Sequence, residues 1–219
     1  MLQSPWGART DAPLAAFPFL TDAVLRQCVC RTFGDREPLV TAGAPVPDLM
    51  IVLRGRARIM ATAANGKAAL LQFVQPGDLL GELTLVGAED AAKAVLAIGP
   101  VACLAIPQSV IEAQLATAPA FWQLLAQHIG VKLLRRMTHM ASAQTQAFKY
   151  RLAELMLTVA VAGVYQENNV QIADYLGVSY RHLMYTLRQF REAGLIAKQP
   201  GGYRLDAPAM RAFLTAGDR

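Results

Sequence analysis

The feature that most constrains the fold of this chain is a change in its sequence pattern at Pro107, from short strand-like runs to long helical stretches. Before it, from Leu39 to Ile106, short apolar runs alternate with turn signals such as Asn65-Gly66 and Pro76-Gly-Asp78. Asn and Gly tolerate the positive φ angles of a tight hairpin, so Asn65-Gly66 predicts one. Several short strands separated by turns are typical of a small β-sandwich, roll or barrel. After Pro107 long helical stretches follow, so the sequence predicts an α+β chain.

The longest helical stretch, Phe121 to Gln146, contains no proline and one glycine and is long enough for about seven turns. Besides its main apolar stripe, it has a second apolar surface that includes Leu124 and Val131. A helix that is apolar on two sides can pack on its own domain and on a second copy of the chain. We therefore predict a dimerisation helix; a helix buried wholly within one domain is the alternative. The predicted dimer stripe recurs at steps of four and three residues: Leu125, Ile129, Leu133, Met137 and Met140.

Positive charge is concentrated in the last two-fifths of the chain, although the net charge of the whole is only +5. Residues 1–131 contain nine Lys or Arg and ten Asp or Glu, whereas residues 132–219 contain twelve and six. A basic excess confined to one region is expected of a domain that meets a polyanion. A solvated basic helix gives the same excess, so the charge needs a motif before it indicates a partner.

The basic region contains the pattern of two short helices joined by a tight turn. Asn168 or Asn169 can cap the first helix, Gly177 allows the turn, and Ser179 is a good cap for the second helix. The pattern continues with two short strands, Leu195–Ala197 and Tyr203–Leu205. Helix, glycine turn, capped helix and hairpin together describe a winged helix-turn-helix.

The second helix presents side chains suited to contacting DNA. Ser179 and the free N–H groups beside it can hold a backbone phosphate. Arg181 is long enough for a bidentate contact with a guanine edge. The alternative is a helical hairpin with a solvated basic face. Tyr180 and Tyr185 can contact thymine methyls or phosphates, and we expect Arg188 and His182 to contact phosphates.

Two motifs resemble those of the CRP/FNR regulators. Val170-Gln-Ile-Ala-Asp-Tyr-Leu-Gly-Val-Ser179, followed by Leu187 and Gly194-Leu-Ile196, resembles the helix-turn-helix of that family. Upstream, Pro76-Gly-Asp-Leu-Leu-Gly-Glu-Leu83 is similar to the signature of its cyclic-nucleotide-binding β-roll. The stretch from Tyr175 to Tyr185 looks most like the YeiL branch. The order of roll, long helix and winged helix agrees with the family over nearly the whole chain.

The resemblance implies three parts: a cyclic-nucleotide-binding-like β-roll sensor over residues 1–118, a long dimerisation helix over 119–146, and a winged helix-turn-helix over 147–219. It implies a homodimer that binds an inverted repeat in double-stranded DNA and regulates transcription, with RNA polymerase as a partner. A signal in the roll would change the packing of the long helices and re-aim the recognition helices. The alternative from another class is a ligand-binding or protein-interaction module whose C-terminal helical hairpin docks a protein.

The candidate effector pocket departs from the family's cyclic-AMP-binding members. Where these have an Arg-Ser or Arg-Thr pair that grips the cyclic phosphate, this chain has Ala91 and Ala92, whose methyl groups cannot bind a phosphate. Glu82 stays where the family's ribose-binding carboxylate lies, and Arg136 and Met137 replace the small hydroxyl pair that meets adenine. We therefore expect no useful binding of cyclic AMP. The predicted pocket residues are Gly81, Glu82, Leu83, Lys93, Arg136 and Met137.

The remaining chemistry-bearing residues predict neither an enzyme nor a cofactor. The three cysteines, Cys28, Cys30 and Cys103, are one short of the four ligands that the family's iron–sulfur members need. An odd cysteine count without a regular framework is typical of a reducing compartment, so we expect a cytoplasmic protein. Redox sensing through Cys28 or Cys30 stays an alternative. The sequence has no catalytic constellation or metal-ligand spacing, and its apolar runs are far too short to span a bilayer.

Overall fold

A computed structural model describes residues 1–5, 12–62, 66 and 68–217. The predicted Asn65-Gly66 hairpin turn lies at Asn65 outside the described residues. The chain divides into two compact units, one of Met1–Ala61 with Leu71–Arg135 and the other of Thr62–Leu70 with Arg136–Arg219. An antiparallel sheet in the first half followed by helices confirms the predicted α+β class.

The first part of the chain forms a seven-stranded antiparallel sheet. Its main path has the order β1-β2-β7-β4-β5, with β3 paired to β7 and β6 paired to β4. The strands are β1 (Leu2–Pro5), β2 (Val29–Phe33), β3 (Pro38–Val40), β4 (Asp48–Thr62), β5 (Ala68–Val74), β6 (Leu79–Leu80) and β7 (Ala94–Pro107).

The alternation along the central strand β4 explains how this sheet buries both faces. Leu49 and Ile51 lie in one apolar cluster, whereas Met50 and Val52 lie in another. Successive side chains of a strand point to opposite faces, so a continuous apolar run serves two cores at once. Further along β4, Gly55 has φ 84°, and a Cβ there would lie 2.2 Å from the carbonyl oxygen of Pro100. This close approach accompanies irregular pairing between β4 and β7 and requires glycine.

Short helices flank this sheet, and one long helix follows it. The long helix α4 covers the stretch that the sequence predicted to be helical, Phe121 to Gln146, except for its last residue. The bounds are a 3₁₀ turn (Ala12–Ala16), α1 (Asp22–Leu25), α2 (Glu82–Leu85), α3 (Gln108–Val110), a π-helical turn (Ile111–Leu115) and α4 (Pro119–Thr145).

The burial of α4 corrects one part of the predicted dimer stripe. Leu125 is only 1% exposed and lies with Phe121 in the apolar cluster that contains Leu49 and Ile51. Ile129 is partly buried against the same cluster. Periodicity alone groups residues on one face of a helix, but it does not tell which turns of that face meet the helix's own domain. Leu125 is therefore a core residue of its own chain.

The second unit contains the remaining helices and a small antiparallel sheet of order β8-β10-β9. The structure adds a strand, β8, and a final helix, α8, that were not expected from the sequence. The bounds are α5 (Phe148–Val159), β8 (Val164–Tyr165), α6 (Asn169–Leu176), α7 (Tyr180–Glu192), β9 (Ile196–Gln199), β10 (Gly202–Leu205) and α8 (Ala207–Gly217). Within the described part of the chain, no helix combines the length and apolar character needed to cross a membrane.

Candidate nucleic-acid interface and sensor pocket

The turn between α6 and α7 forms through local signals. The side chain of Asn168 caps α6 by accepting hydrogen bonds from the N–H groups of Val170 and Gln171, at 2.9 and 3.3 Å. Gly177 ends α6 in the left-handed conformation, with φ 68°. The Ser179 hydroxyl then caps α7 by accepting from the backbone N–H of His182 at 3.2 Å. Because both caps and the turn glycine depend on near neighbours in sequence, the helix pair is fixed locally.

Helix α7 has one buried side and one exposed side. Leu183, Leu187 and Phe190 are buried. Tyr180 and Tyr185 are about half exposed, at 50% and 51%, which is high for aromatic side chains. The apolar side anchors the helix, and the opposite side presents aromatic and basic groups outward. The predicted contact residues that are exposed are Ser179, Tyr180, Arg181, His182, Tyr185 and Arg188.

Two of these exposed residues have partners within α7 that a larger ligand could replace. The Arg188 Nε lies 3.7 Å from a Glu192 carboxylate oxygen, and the guanidinium also lies over the Tyr185 ring at 5.6 Å. The Gln189 side-chain amide donates to the Tyr185 hydroxyl at 3.2 Å. Both members of the Arg188–Glu192 pair are largely exposed, and such pairs contribute little stability. Arg188 is therefore available to an anion that binds it more strongly.

The sequence predicted that His182 contacts a phosphate, and the structure shows that its ring also packs against an aromatic side chain. Its ring centroid lies 4.7 Å from that of Phe148, the first residue of α5. The imidazole therefore packs between α7 and α5, although the residue as a whole is exposed. Sequence spacing within α7 could not show this contact, because Phe148 lies far upstream in the chain.

Arg151 is a functional candidate that the sequence reasoning missed. It is buried in α5, and its Nη1 donates to the carbonyl oxygen of Leu176, the last residue of α6, at 2.9 Å. Burial lowers the pKa of Arg151 below its usual value. A positive group at a helix C-terminus satisfies a free carbonyl and complements the helix dipole. Arg151 thus holds the end of α6 just before the turn. An arginine among the apolar positions Leu152 and Leu155 was the available signal.

Two predicted pocket residues on the second half of α4, Arg136 and Met137, belong to the second unit. Burial raises the pKa of Tyr175 in α6, and the positive charge of Arg136 acts in the opposite direction. Arg136 therefore interacts with Tyr175 of the same unit. Met137 lies on an exposed surface of α4 and not in a closed pocket. We call this surface the α4 stripe; its members are 48% to 65% exposed and comprise Val131, Leu133, Leu134, Met137 and Met140.

The predicted sensor pocket of the first unit begins at Gly81. This residue has φ 90°, and a Cβ would lie 2.8 Å from the Asp48 carbonyl oxygen, so only glycine fits. Glu82 follows in the first turn of α2 and is 4% exposed. Its carboxylate forms an ion pair with Lys132 of α4, whose Nζ also donates to the Leu79 carbonyl oxygen at 3.0 Å. The carboxylate that the resemblance assigns to a ligand is bound here by the chain's own lysine.

Lys93, the other charged pocket candidate of this unit, also has an internal partner. Its ammonium lies 2.6 Å from a carboxylate oxygen of Glu89, whose other oxygen accepts from the Thr84 hydroxyl at 3.3 Å. Ala92 is buried, and its carbonyl oxygen accepts from the Gly43 N–H. Leu83 is half-buried on α2. The groups brought together here are therefore Gly81, Glu82 and Leu83, with Lys93 engaged separately.

Burial makes two of the three cysteines poor nucleophiles. Burial raises the pKa of the Cys28 thiol to about 11, and this thiol donates to the Val24 carbonyl oxygen. Burial, followed by the nearby Cys30, raises the pKa of Cys103 to about 12, while Arg31 acts in the opposite direction. The reactive form is the thiolate, which is scarce in both at neutral pH. Cys30 is half-buried, and all three are free thiols. Across the described ranges, no group of three or more His, Cys, Asp or Glu could hold a metal ion.

Comparison with known proteins identifies relatives of both units. Residues 30–118 match the family described as the cyclic nucleotide-binding domain. The regulatory protein YeiL of Escherichia coli O157:H7 is 35% identical over 171 residues, which cover 78% of each chain. TTHA1359, a CRP/FNR-family transcriptional regulator from Thermus thermophilus, has a TM-score of 0.65 at 21% identity, over 86% of this chain and 99% of its own. FixK2 from Bradyrhizobium japonicum has a TM-score of 0.62 at 19% identity, over 84% and 96%.

The comparisons agree with the roll signature found in the sequence and with the fold of the whole chain. The two solved structures share the fold, and the roll signature from Pro76 to Leu83 lies inside the matched domain. YeiL is similar over most of the length of both proteins. The relatives are regulatory proteins and not enzymes. The chain belongs to the CRP/FNR family of transcriptional regulators, and it is similar to YeiL over most of its length.

Proposed function

We propose that this protein regulates transcription as a homodimer that binds a specific inverted repeat in double-stranded DNA. The observation that carries the proposal is the exposed side of α7, where Arg181 and Arg188 lie beside two half-exposed tyrosines on a helix anchored by its opposite face. The free N–H groups at the start of α7 suit a phosphate, and arginine suits a guanine edge. The surplus of positive charge in residues 132–219 favours the same partner.

The proposal assigns the α4 stripe to a second copy of the chain. Leu133, Met137 and Met140 are large apolar side chains that are more than half exposed on one helix. Contiguous exposed apolar surface of this kind usually marks an interaction site. A two-fold pair of such helices would place two recognition helices on one duplex, as an inverted repeat requires. The division at residues 118 and 146 stays a prediction.

The proposed signal is not cyclic AMP. Ala91 and Ala92 offer no cation to a cyclic phosphate, and Lys132 neutralises Glu82 from within the chain. A regulator of transcription acts where the genome and RNA polymerase are, so we place the protein in the cytoplasm with RNA polymerase as its further partner.

Selection of bound duplexes from a random pool tests the proposal. The wild-type chain is compared with the Arg181→Glu, Arg188→Glu double variant. The wild-type chain should enrich a defined sequence, and the double variant should enrich none while sedimenting as a dimer. A protein-docking hairpin predicts instead that neither protein enriches a sequence. Loss of the dimer in the double variant would contradict the assignment of these two arginines to DNA.

A further inference from the structure

Three polar side chains on one face of helix α4 contact the roll. His128, Lys132 and Arg135 follow one another at steps of four and three residues, so they lie one above the other. The His128 ring nitrogen lies 2.8 Å from the Gly77 carbonyl oxygen. The Arg135 Nη1 donates to both carboxylate oxygens of Asp78, at 3.1 and 3.3 Å. We call these two contacts, together with those of Lys132 to Glu82 and Leu79, the α4 clamp.

The two carboxylates of the clamp are almost completely buried. Asp78 is 3% exposed, and the side chains of Lys132 and Glu82 are 12% and 5% exposed. A buried carboxylate needs a cation or several hydrogen-bond donors, because water no longer solvates it. Here the cations come from α4, and the segment that they hold is the motif that resembles a nucleotide-binding signature. The resemblance implies that a cyclic nucleotide contacts both the roll and the long helix, and here the clamp connects the two within one chain.

The clamp also leaves little for an anionic ligand to bind. The Lys132 ammonium is already paired with Glu82, and the Lys93 ammonium is already paired with Glu89. The positions where the family's cyclic-AMP-binding members have a phosphate-gripping pair are occupied by Ala91 and Ala92. An effector would have to break the Lys132–Glu82 pair before it could use either of the two charged groups.

We propose that Lys132 takes the place of an effector, so that the DNA-binding form is populated without any small molecule. A ligand shifts an equilibrium only through its differential affinity for two states, and a contact within the chain does the same without a concentration requirement. The clamp holds the middle of α4, and the same helix continues to Thr145 and includes the stripe proposed to meet a second copy. This inference rests on the proposed DNA-binding function.

The test measures the affinity for the selected duplex of the dialysed, nucleotide-free wild type and of three variants. Lys132→Met removes the central cation, and Lys132→Glu with Glu82→Lys restores the pair in reverse. Arg26→Met is the matched control, because it removes one positive charge from an exposed position at the end of α1 in the same unit. Cyclic AMP, cyclic GMP and cyclic di-GMP are each added at millimolar concentration in parallel. Thermal unfolding confirms that each variant is folded at the temperature of the binding assay.

We expect the wild type to bind without additives and its affinity to be unchanged by any of the three nucleotides. Lys132→Met should weaken binding about tenfold or more, whereas the reversed pair should recover most of the loss and Arg26→Met should match the wild type. An unchanged or increased affinity in Lys132→Met would overturn the inference, because the clamp would then be only structural or inhibitory. Binding that appears only with a nucleotide would also overturn it while leaving the regulator intact. A folded dimer that binds no duplex under any condition would sink the proposed function itself.

Discussion

Arg181 and Arg188 lie on the same exposed side of α7, yet we expect them to contact different parts of DNA. Arg181 is near the start of the helix, where base edges come within reach, whereas Arg188 lies two turns further along beside Glu192. The resemblance to the CRP/FNR regulators implies that Tyr180, Arg181 and Tyr185 lie at the base-reading positions of the second helix, and we expect them to act there. One guanine-directed arginine per half-site therefore remains, and the site should tolerate A·T pairs around one firm G·C pair.

Replacing each arginine by alanine separates the two roles. Arg181→Ala should cost about 1–3 kcal/mol on the preferred duplex and relax selectivity at one base pair. Arg188→Ala should weaken all sequences similarly and lower the salt dependence of log K by about one, because one phosphate contact is lost. Titrations of specific and random duplexes at several salt concentrations measure both effects. Equal weakening of both duplexes by Arg181→Ala would show that Arg181 contacts a phosphate.

Arg151 gives a second prediction at the scale of single residues. Arg151→Met should lower the free energy of unfolding by about 1–3 kcal/mol, because the buried Leu176 carbonyl oxygen loses its donor. Urea denaturation measures this change. Arg151→Lys keeps a cation within reach of the carbonyl and should recover part of the loss. An Arg151→Met protein as stable as the wild type would show that Leu176 finds another donor or that the contact contributes nothing.

Among the elements, the helix pair α6 and α7 could be predicted from the sequence because its signals are local. Asn168, Gly177 and Ser179 each act on residues within three or four positions. The contacts that could not be predicted from the sequence are those between residues far apart in the chain. Lys132 and Glu82 lie fifty positions apart, and Arg151 meets Leu176 across twenty-five. Charged residues of either sign are common on helices, so nothing in the sequence selects these pairs.

The long helix α4 illustrates a further limit of periodic patterns. Five residues at helical spacing predicted one continuous dimer stripe, but Leu125 lies in the core of the roll and Ile129 is partly buried there. Only the later turns, at Leu133, Met137 and Met140, are exposed. Apolar spacing shows which face of a helix is buried, and the partner that buries each turn depends on the fold around it.

Glutamate substitutions on the exposed turns test the proposed dimer seam. Met137→Glu or Leu133→Glu should give monomers, because each places two facing charges in an apolar contact. Both variants should also lose affinity for the selected duplex, because a single half-site makes too few contacts. Sedimentation velocity measures the oligomeric state, with Glu112→Gln on the first unit as a surface control. An intact dimer in both variants would refute the seam.

For the molecule as a whole, we expect the CRP/FNR fold of this chain not to bind cyclic AMP. Isothermal calorimetry with millimolar cyclic AMP should show no saturable heat, because the resemblance implies two alanines at the positions of the phosphate-binding pair and Lys132 is paired with Glu82. The Lys132→Met protein should also give none, since removing the lysine supplies no group that binds a phosphate. Micromolar, saturable binding to the wild type would require a different pocket from the one described.

The central claim is that two copies of this chain read one symmetric stretch of DNA, and the arrangement of half-sites in the selected sequence tests it most directly. A two-fold dimer requires an inverted repeat with half-site centres about one helical turn, ~34 Å, apart. We predict that sequencing of duplexes enriched by the wild-type chain will show two identical, inverted half-sites at that spacing, each with one dominant G·C pair. Enrichment of a single asymmetric site, of direct repeats, or of no sequence would contradict this claim.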